Sequence, residues 1–184
     1  MWVAAINKSK LNVLDFGGSL GSSYFQNKYF LDTLDHINWN ILEQENFVRC
    51  GQENFQDKNL QFFHTAGEAI TTNGLPDILL VACTLPYLKN PYEVIQEFLR
   101  MGIPHLIIDN TFFNYERRDR ICVQKVPPEI YEASYPCWFL NYDRVKQKIS
   151  EGYSIISEHK NESITYLDGR SIHYKGFLAK INTI

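Results

Sequence analysis

The sequence predicts a layered α/β fold, a largely parallel sheet flanked by helices and closed by an antiparallel hairpin at its end. Three observations predict it. Short apolar runs alternate with amphipathic stretches, the rhythm of β-α units. The first apolar run passes straight into a glycine-rich turn, DFGGSLG. Two strand-like runs close the chain, joined by a polar segment that contains the turn dipeptide Asp168-Gly169.

The chain has 184 residues, 45% of them apolar and 21% charged, enough for one domain with a proper core and without the composition of a disordered chain. A single domain over residues 1–184 is therefore expected. The net charge of −3 argues against a general nucleic-acid surface, which needs a cationic face. Cys50, Cys83, Cys122 and Cys137 are far apart with no C-x-x-C pair, so neither a zinc knuckle nor a redox dithiol is expected. The N-terminal residues lack a long apolar core, and the longest apolar run, Ile78 to Cys83, is far short of a membrane span. A cytoplasmic protein without a membrane span is the expectation.

Strands are expected at Asn12–Phe16, Asn38–Glu43, Leu60–Thr65, Ile78–Thr84 and His105–Asp109. Between the last two, NPYEVIQEFLRMG is the clearest helix. Asn90 can cap it, Pro91 suits its first turn, Val94, Ile95, Phe98 and Leu99 form one apolar face, and Gly102 ends it. After Asp109 the rhythm changes. RICVQKV reads as an extra strand, VPPEIYEASYPCWF as a proline-punctuated aromatic loop, and Asn141–Ser150 as another helix. Tyr153–His159 and Tyr174–Ile181 are the closing strands. The mixed run ERRDR, with Arg117, Arg118 and Arg120, reads as a solvated turn or as an anion contact.

Gly17, Gly18 and Gly21 let the backbone turn tightly and let a ligand approach it. Glu43 ends the second strand, where an acid accepts hydrogen bonds from both hydroxyls of a ribose. The turn lacks G-x-G-x-x-G spacing, and no P-loop lysine follows, which disfavours a pyrophosphate. Asp15 beside the turn would repel phosphates and suit the cationic amino-acid part of S-adenosylmethionine. If Asp15 merely caps the turn and Glu43 starts a solvated helix, the pair is structural instead.

VLDFGGSLGSSYF, WNILEQ, DILLVACTLPYL, VPPEIYEASYPCWF and the closing YKGFLAKI together resemble a bacterial family of S-adenosylmethionine-dependent methyltransferases associated with surface-polysaccharide gene clusters. The likeness runs from about residue 11 to the end, and the proline-aromatic block is its most specific part. It implies a class I methyltransferase (Rossmann-like) three-layer sandwich, with a seven-stranded sheet whose last strand is antiparallel. A dehydrogenase-type domain would keep its strands parallel. In that family a sizeable segment precedes the glycine strand, whereas here only about ten residues do, so an N-terminal segment is expected to be lacking. Carried over, the cofactor residues are Asp15, Gly17, Gly18, Gly21 and Glu43, with His64 and Thr65 where such folds contact adenine.

The acceptor is expected beyond the carboxyl ends of the fourth and fifth strands. Cys83-Thr84-Leu85-Pro86-Tyr87 lacks the Asp or Asn used by enzymes that methylate amines of nucleic acids. Asp109-Asn110 resembles half of the magnesium site of catechol-type O-methyltransferases, but Ala82-Cys83 cannot supply the further carboxylate, so no metal is expected. Methylation of a hydroxyl wants a base; Asp109 is better placed for it than His105. Tyr131 and Tyr135, with Arg120, are the candidate acceptor contacts. The reading is an S-adenosylmethionine-dependent O-methyltransferase acting on a glycan or small molecule. The alternative is a non-catalytic methyltransferase-like protein working in a complex.

Overall fold

The computed structural model describes residues 2–182. Its strands and helices alternate as a three-layer α/β sandwich, with a mixed, mostly parallel sheet. Two compact units are traced by the chain, one of residues 1–82 and 102–107, the other of residues 83–101 and 108–184.

In the first unit a short helix α1 (Trp2–Ile6) precedes β1 (Lys10–Phe16), followed by α2 (Ser22–Leu31), β2 (His36–Leu42), α3 (Glu45–Asn54), β3 (Leu60–Phe63), α4 (Ala66–Asn73) and β4 (Ile78–Ala82). The strand order is β3-β2-β1-β4, and neighbouring strands within it run parallel. Leu11, Val13, Leu14, Ile37, Ile41, Leu60, Phe62 and Leu79 are buried, as the near-continuous apolar runs of a sheet covered on both faces require. Helix α3 packs closely because position 51 is glycine: a Cβ there would lie 2.4 Å from the Phe62 ring. Helix α4 starts in a capping box, in which the Thr65 hydroxyl accepts from the Glu68 N–H and the Glu68 carboxylate accepts from the Thr65 N–H.

The second unit begins with a 3-10 turn (Leu85–Tyr87) and α5 (Pro91–Met101), which buries Ile95 and Phe98 and is followed by Gly102 in a left-handed conformation (φ 66°). Strand β5 (His105–Asn114) runs from the first unit into the second. It is followed by β6 (Arg120–Lys125), β7 (Ser134–Asn141), α6 (Tyr142–Ser150), β8 (Tyr153–Leu167) and β9 (Arg170–Ile181). β7 runs parallel to β5 and antiparallel to β6, while β9 pairs with β5 and, antiparallel, with β8.

β2, β3 and β4 end one or two residues earlier than the sequence expectation, at Leu42, Phe63 and Ala82, and three further elements differ from it. β5 extends to Asn114, the second half of the aromatic block is the strand β7, and the closing hairpin occupies Tyr153–Ile181 with a bulge between Lys160 and Ile164. The aromatic block forms a strand because Cys137 and Phe139 close a buried cluster with Phe112 and Leu167, and cross-strand burial outweighs the poor strand propensity of Pro136. No described helix is long and apolar enough to cross a membrane.

Candidate functional site

The parallel register of β1, β2 and β3 sets Asp15 beside Ile41, Phe16 beside Leu42 and Leu42 beside Phe63. The segments that leave these three strands therefore emerge along one carboxyl edge, where ligands of open α/β sheets bind. Gly17 donates its N–H to the Leu42 carbonyl at 3.0 Å, pinning the turn to the end of β2. The chain then reverses through two glycines with positive φ, Gly17 at 73° and Gly21 at 94°, and Gly21 serves as the N-cap of α2.

Asp15 lies beneath this turn, 1% exposed. Its Oδ2 accepts from the Trp39 indole N–H at 2.9 Å, and its Oδ1 has no hydrogen-bond partner. Burial pushes the carboxyl up to about 6, partly offset by the indole N–H and reinforced by the charge of Glu43. Gly18 lies over the carboxylate, where a Cβ would fall 2.6 Å from Asp15 Cγ. Glycine at 18 thus serves close approach, whereas Gly17 and Gly21 serve backbone conformation.

Glu43 follows β2 directly. One carboxylate oxygen accepts from the Ser19 N–H at 3.2 Å and the other from the Gln44 N–H at 2.8 Å. Each oxygen keeps acceptor capacity beyond these bonds. Two carboxylates thus frame one glycine turn, which makes its field negative. His64 and Thr65 follow β3 and are exposed. His64 donates its backbone N–H to Glu68, and Thr65 is committed to the cap of α4. Together with Gln52 and Gln56, His64 lines an open groove.

In the second unit Asp109 is not isolated. His159 Nε2 lies 2.8 Å from Asp109 Oδ1, and that same oxygen accepts from the Asn110 N–H at 2.7 Å. Asn110 adopts φ 47°, and its side-chain oxygen accepts from Asn161 at 3.0 Å. Room for the His159 ring comes from Gly176, where a Cβ would lie 2.4 Å from both Cε1 and Nε2. Cys83 donates its N–H to the Asp109 carbonyl, and burial and the Asp109 charge raise its thiol pKa, so it remains a thiol rather than a nucleophilic thiolate.

Tyr135 and Tyr131 are hydrogen-bonded to each other, which together with burial pushes Tyr135 up to about 12. The Tyr135 ring meets Tyr87 edge-on at 5.6 Å, and the Tyr87 hydroxyl donates to Gln124 at 3.0 Å. Arg120 is turned elsewhere: its guanidinium makes two bonds to Asp168, at 2.5 and 3.2 Å, with Glu116 at 3.6 Å. His105 is buried in the first unit, with Nδ1 3.1 Å from the Asp77 carbonyl, at the amino end of β5.

Sequence reasoning missed Trp39, His159 and Gly176. An indole N–H within an apolar strand always needs an acceptor when buried, so Trp39 carried a usable signal. His159 carried none, because fifty residues separate it from Asp109.

No protein-family model matches the chain, and no curated protein matches it. Solved structures do. A S-adenosylmethionine-dependent methyltransferase from Methanosarcina mazei is 13% identical, with a TM-score of 0.65 over 96% of either chain. The N-terminal domain of EvdMO1, crystallised in the presence of S-adenosylhomocysteine and D-fucose, is 13% identical with a TM-score of 0.63, covering 98% of this chain and 82% of that one. The [4+2]-cyclase SpnF is 13% identical with a TM-score of 0.65, covering 98% of this chain and 78% of that one. At such identities the likeness establishes the fold, and the fold is that of the class I methyltransferases.

Proposed function

We propose that this class I methyltransferase fold binds S-adenosylmethionine at the glycine turn and transfers its methyl group to an oxygen of a glycan or small-molecule acceptor. The observation that carries the reading is the pair of carboxylates on one turn, with Asp15 buried beneath Gly18 and half-satisfied, and Glu43 holding the Ser19 N–H. When bound, the cofactor supplies an electrophilic methyl group on a sulfonium. Glu43 is assigned to the ribose hydroxyls, the Gly17–Gly21 turn to the amino-acid part, and His64 with Thr65 to the adenine. Asp15 acts through its field: a cation near it restores the ionised form that burial disfavours.

A hydroxyl acceptor must lose a proton as its oxygen attacks. The Asp109–His159 pair is assigned to that step. Asp109 holds Nε2, so His159 takes the acceptor proton at Nδ1 while the carboxylate stabilises the resulting imidazolium. Tyr131 and Tyr135 are assigned to the acceptor. Arg120 is not, since Asp168 occupies its fork.

Calorimetry with S-adenosylhomocysteine and with NAD tests the assignment. Micromolar-range binding of the first and none of the second is expected. NAD binding without a response to S-adenosylhomocysteine would overturn it. Binding of the cofactor with no methyl transfer to any hydroxyl acceptor would leave the non-catalytic reading in its place, and SpnF shows that a cyclase also has this fold.

A further inference from the structure

The closing hairpin carries a groove that none of these roles uses. It is a cavity of about 620 Å³ whose walls include Tyr115, Lys160, Arg170, His173 and Lys175. The antiparallel register places Lys160 directly opposite Lys175, and like charges so placed destabilise a hairpin unless something negative lies between them. The acids nearby make their direct bonds to other partners. Asp168 is bonded twice to Arg120, and Glu116 faces the same guanidinium. Glu158, also on β8, is taken by Lys146 and the Tyr142 hydroxyl.

Among the described residues, Lys160, Arg170 and Lys175 form no salt bridge. Lys175 is nonetheless held in place. Its Nζ lies 4.5 Å from the Tyr142 ring centroid and 5.0 Å from that of Tyr115, contacts that fix an ammonium without neutralising it. Three cations outside any salt bridge therefore converge on one groove of a chain whose net charge is −3, where Asp168 and Glu158 feel Arg170 and Lys175 but spend their bonds on Arg120 and Lys146, beside an exposed aromatic ring, Tyr115, that a flat or cyclic group can cover.

We infer that this groove binds the phosphate groups of a small phosphorylated ring compound, of the nucleoside diphosphate or sugar phosphate class, with Lys160, Lys175 and Arg170 on the phosphates and Tyr115 against the ring. Two ammonium groups and a guanidinium match a dianion or trianion better than a single carboxylate. The site is independent of the cofactor assignment, since all of its residues belong to the second unit.

The test is a ¹H–¹⁵N titration of the whole chain with inorganic pyrophosphate and with UDP, using uridine as the phosphate-free control. Saturable shifts at Tyr115, Lys160 and residues 170–175 are expected with both phosphates, tighter for UDP and absent with uridine. Lys160→Gln and Lys175→Met, the second chosen to keep the packing on Tyr142, should each weaken pyrophosphate about three- to tenfold while S-adenosylhomocysteine binding is unchanged. Unchanged affinity in both variants, or pyrophosphate shifts confined to the glycine turn, would overturn the inference. So would concentration-dependent shifts of the same residues without phosphate, which would mean that a second copy fills the groove. Loss of S-adenosylhomocysteine binding by the wild-type chain would sink the methyltransferase reading and leave this one standing.

Discussion

Replacing Asp15 by Asn separates what the buried carboxylate costs the fold from what it gives the ligand. Burial raises the folded-state pKa from 3.8 to about 6, so between those values the native state binds more protons than the unfolded chain. The contribution of Asp15 to stability is then largest below 3.8 and is lost as the pH rises through 6. A shift of this size corresponds to about 3 kcal/mol over the full titration. Between pH 4.5 and 7.5 the portion lost is about 2 kcal/mol. Asn keeps the acceptor for the Trp39 indole N–H and cannot ionise. Its amide N–H takes the position of the partnerless Oδ1 and costs about 1–2 kcal/mol at any pH. The quantity to measure is thus the change with pH of the difference between the two proteins. Urea unfolding of both at pH 4.5 and 7.5 should show wild type losing about 2 kcal/mol relative to Asp15→Asn, with S-adenosylhomocysteine affinity reduced in the variant. Stability profiles that run parallel over this range would refute the placement of a destabilised carboxylate beneath the turn.

Glu43→Ala should weaken S-adenosylhomocysteine by about 1–3 kcal/mol in calorimetry, the loss expected for hydrogen bonds to a charged acceptor, and leave the circular dichroism spectrum unchanged. Gly18→Ala forces a methyl group against the Asp15 carboxylate, and a lower melting temperature together with weaker cofactor binding is expected, at about 1–3 kcal/mol for overpacking. His159→Gln removes the titratable ring that Asp109 holds. Turnover should fall and its pH profile change while cofactor affinity stays put. Tyr135→Phe should likewise lower turnover without changing cofactor affinity, and a parallel loss of melting temperature and cofactor binding would mark the Tyr131–Tyr135 pair as packing alone.

By itself the sequence determined the alternation of β and α, the helix at Pro91–Met101, the glycine turn and the two acids at successive strand ends, because each is written in local periodicity or in a residue's own backbone and charge preferences. Asp15 and Glu43 were legible for that reason. The tertiary structure decided what lies far apart in sequence. His159 reaches Asp109 across the sheet only because Gly176 leaves space, Arg120 is captured by an acid forty-eight residues away, and the proline-aromatic block becomes β7 because β6 and a buried cluster pair with it. The same holds for the hairpin. Its polar run, Lys160–Ser163, lies outside the strands expected from the sequence, and pairing with β9 extends the strand through it and brings Lys160 opposite Lys175. Local preferences are weak there, and the free energy that fixes the conformation comes from partners that only the folded chain brings near.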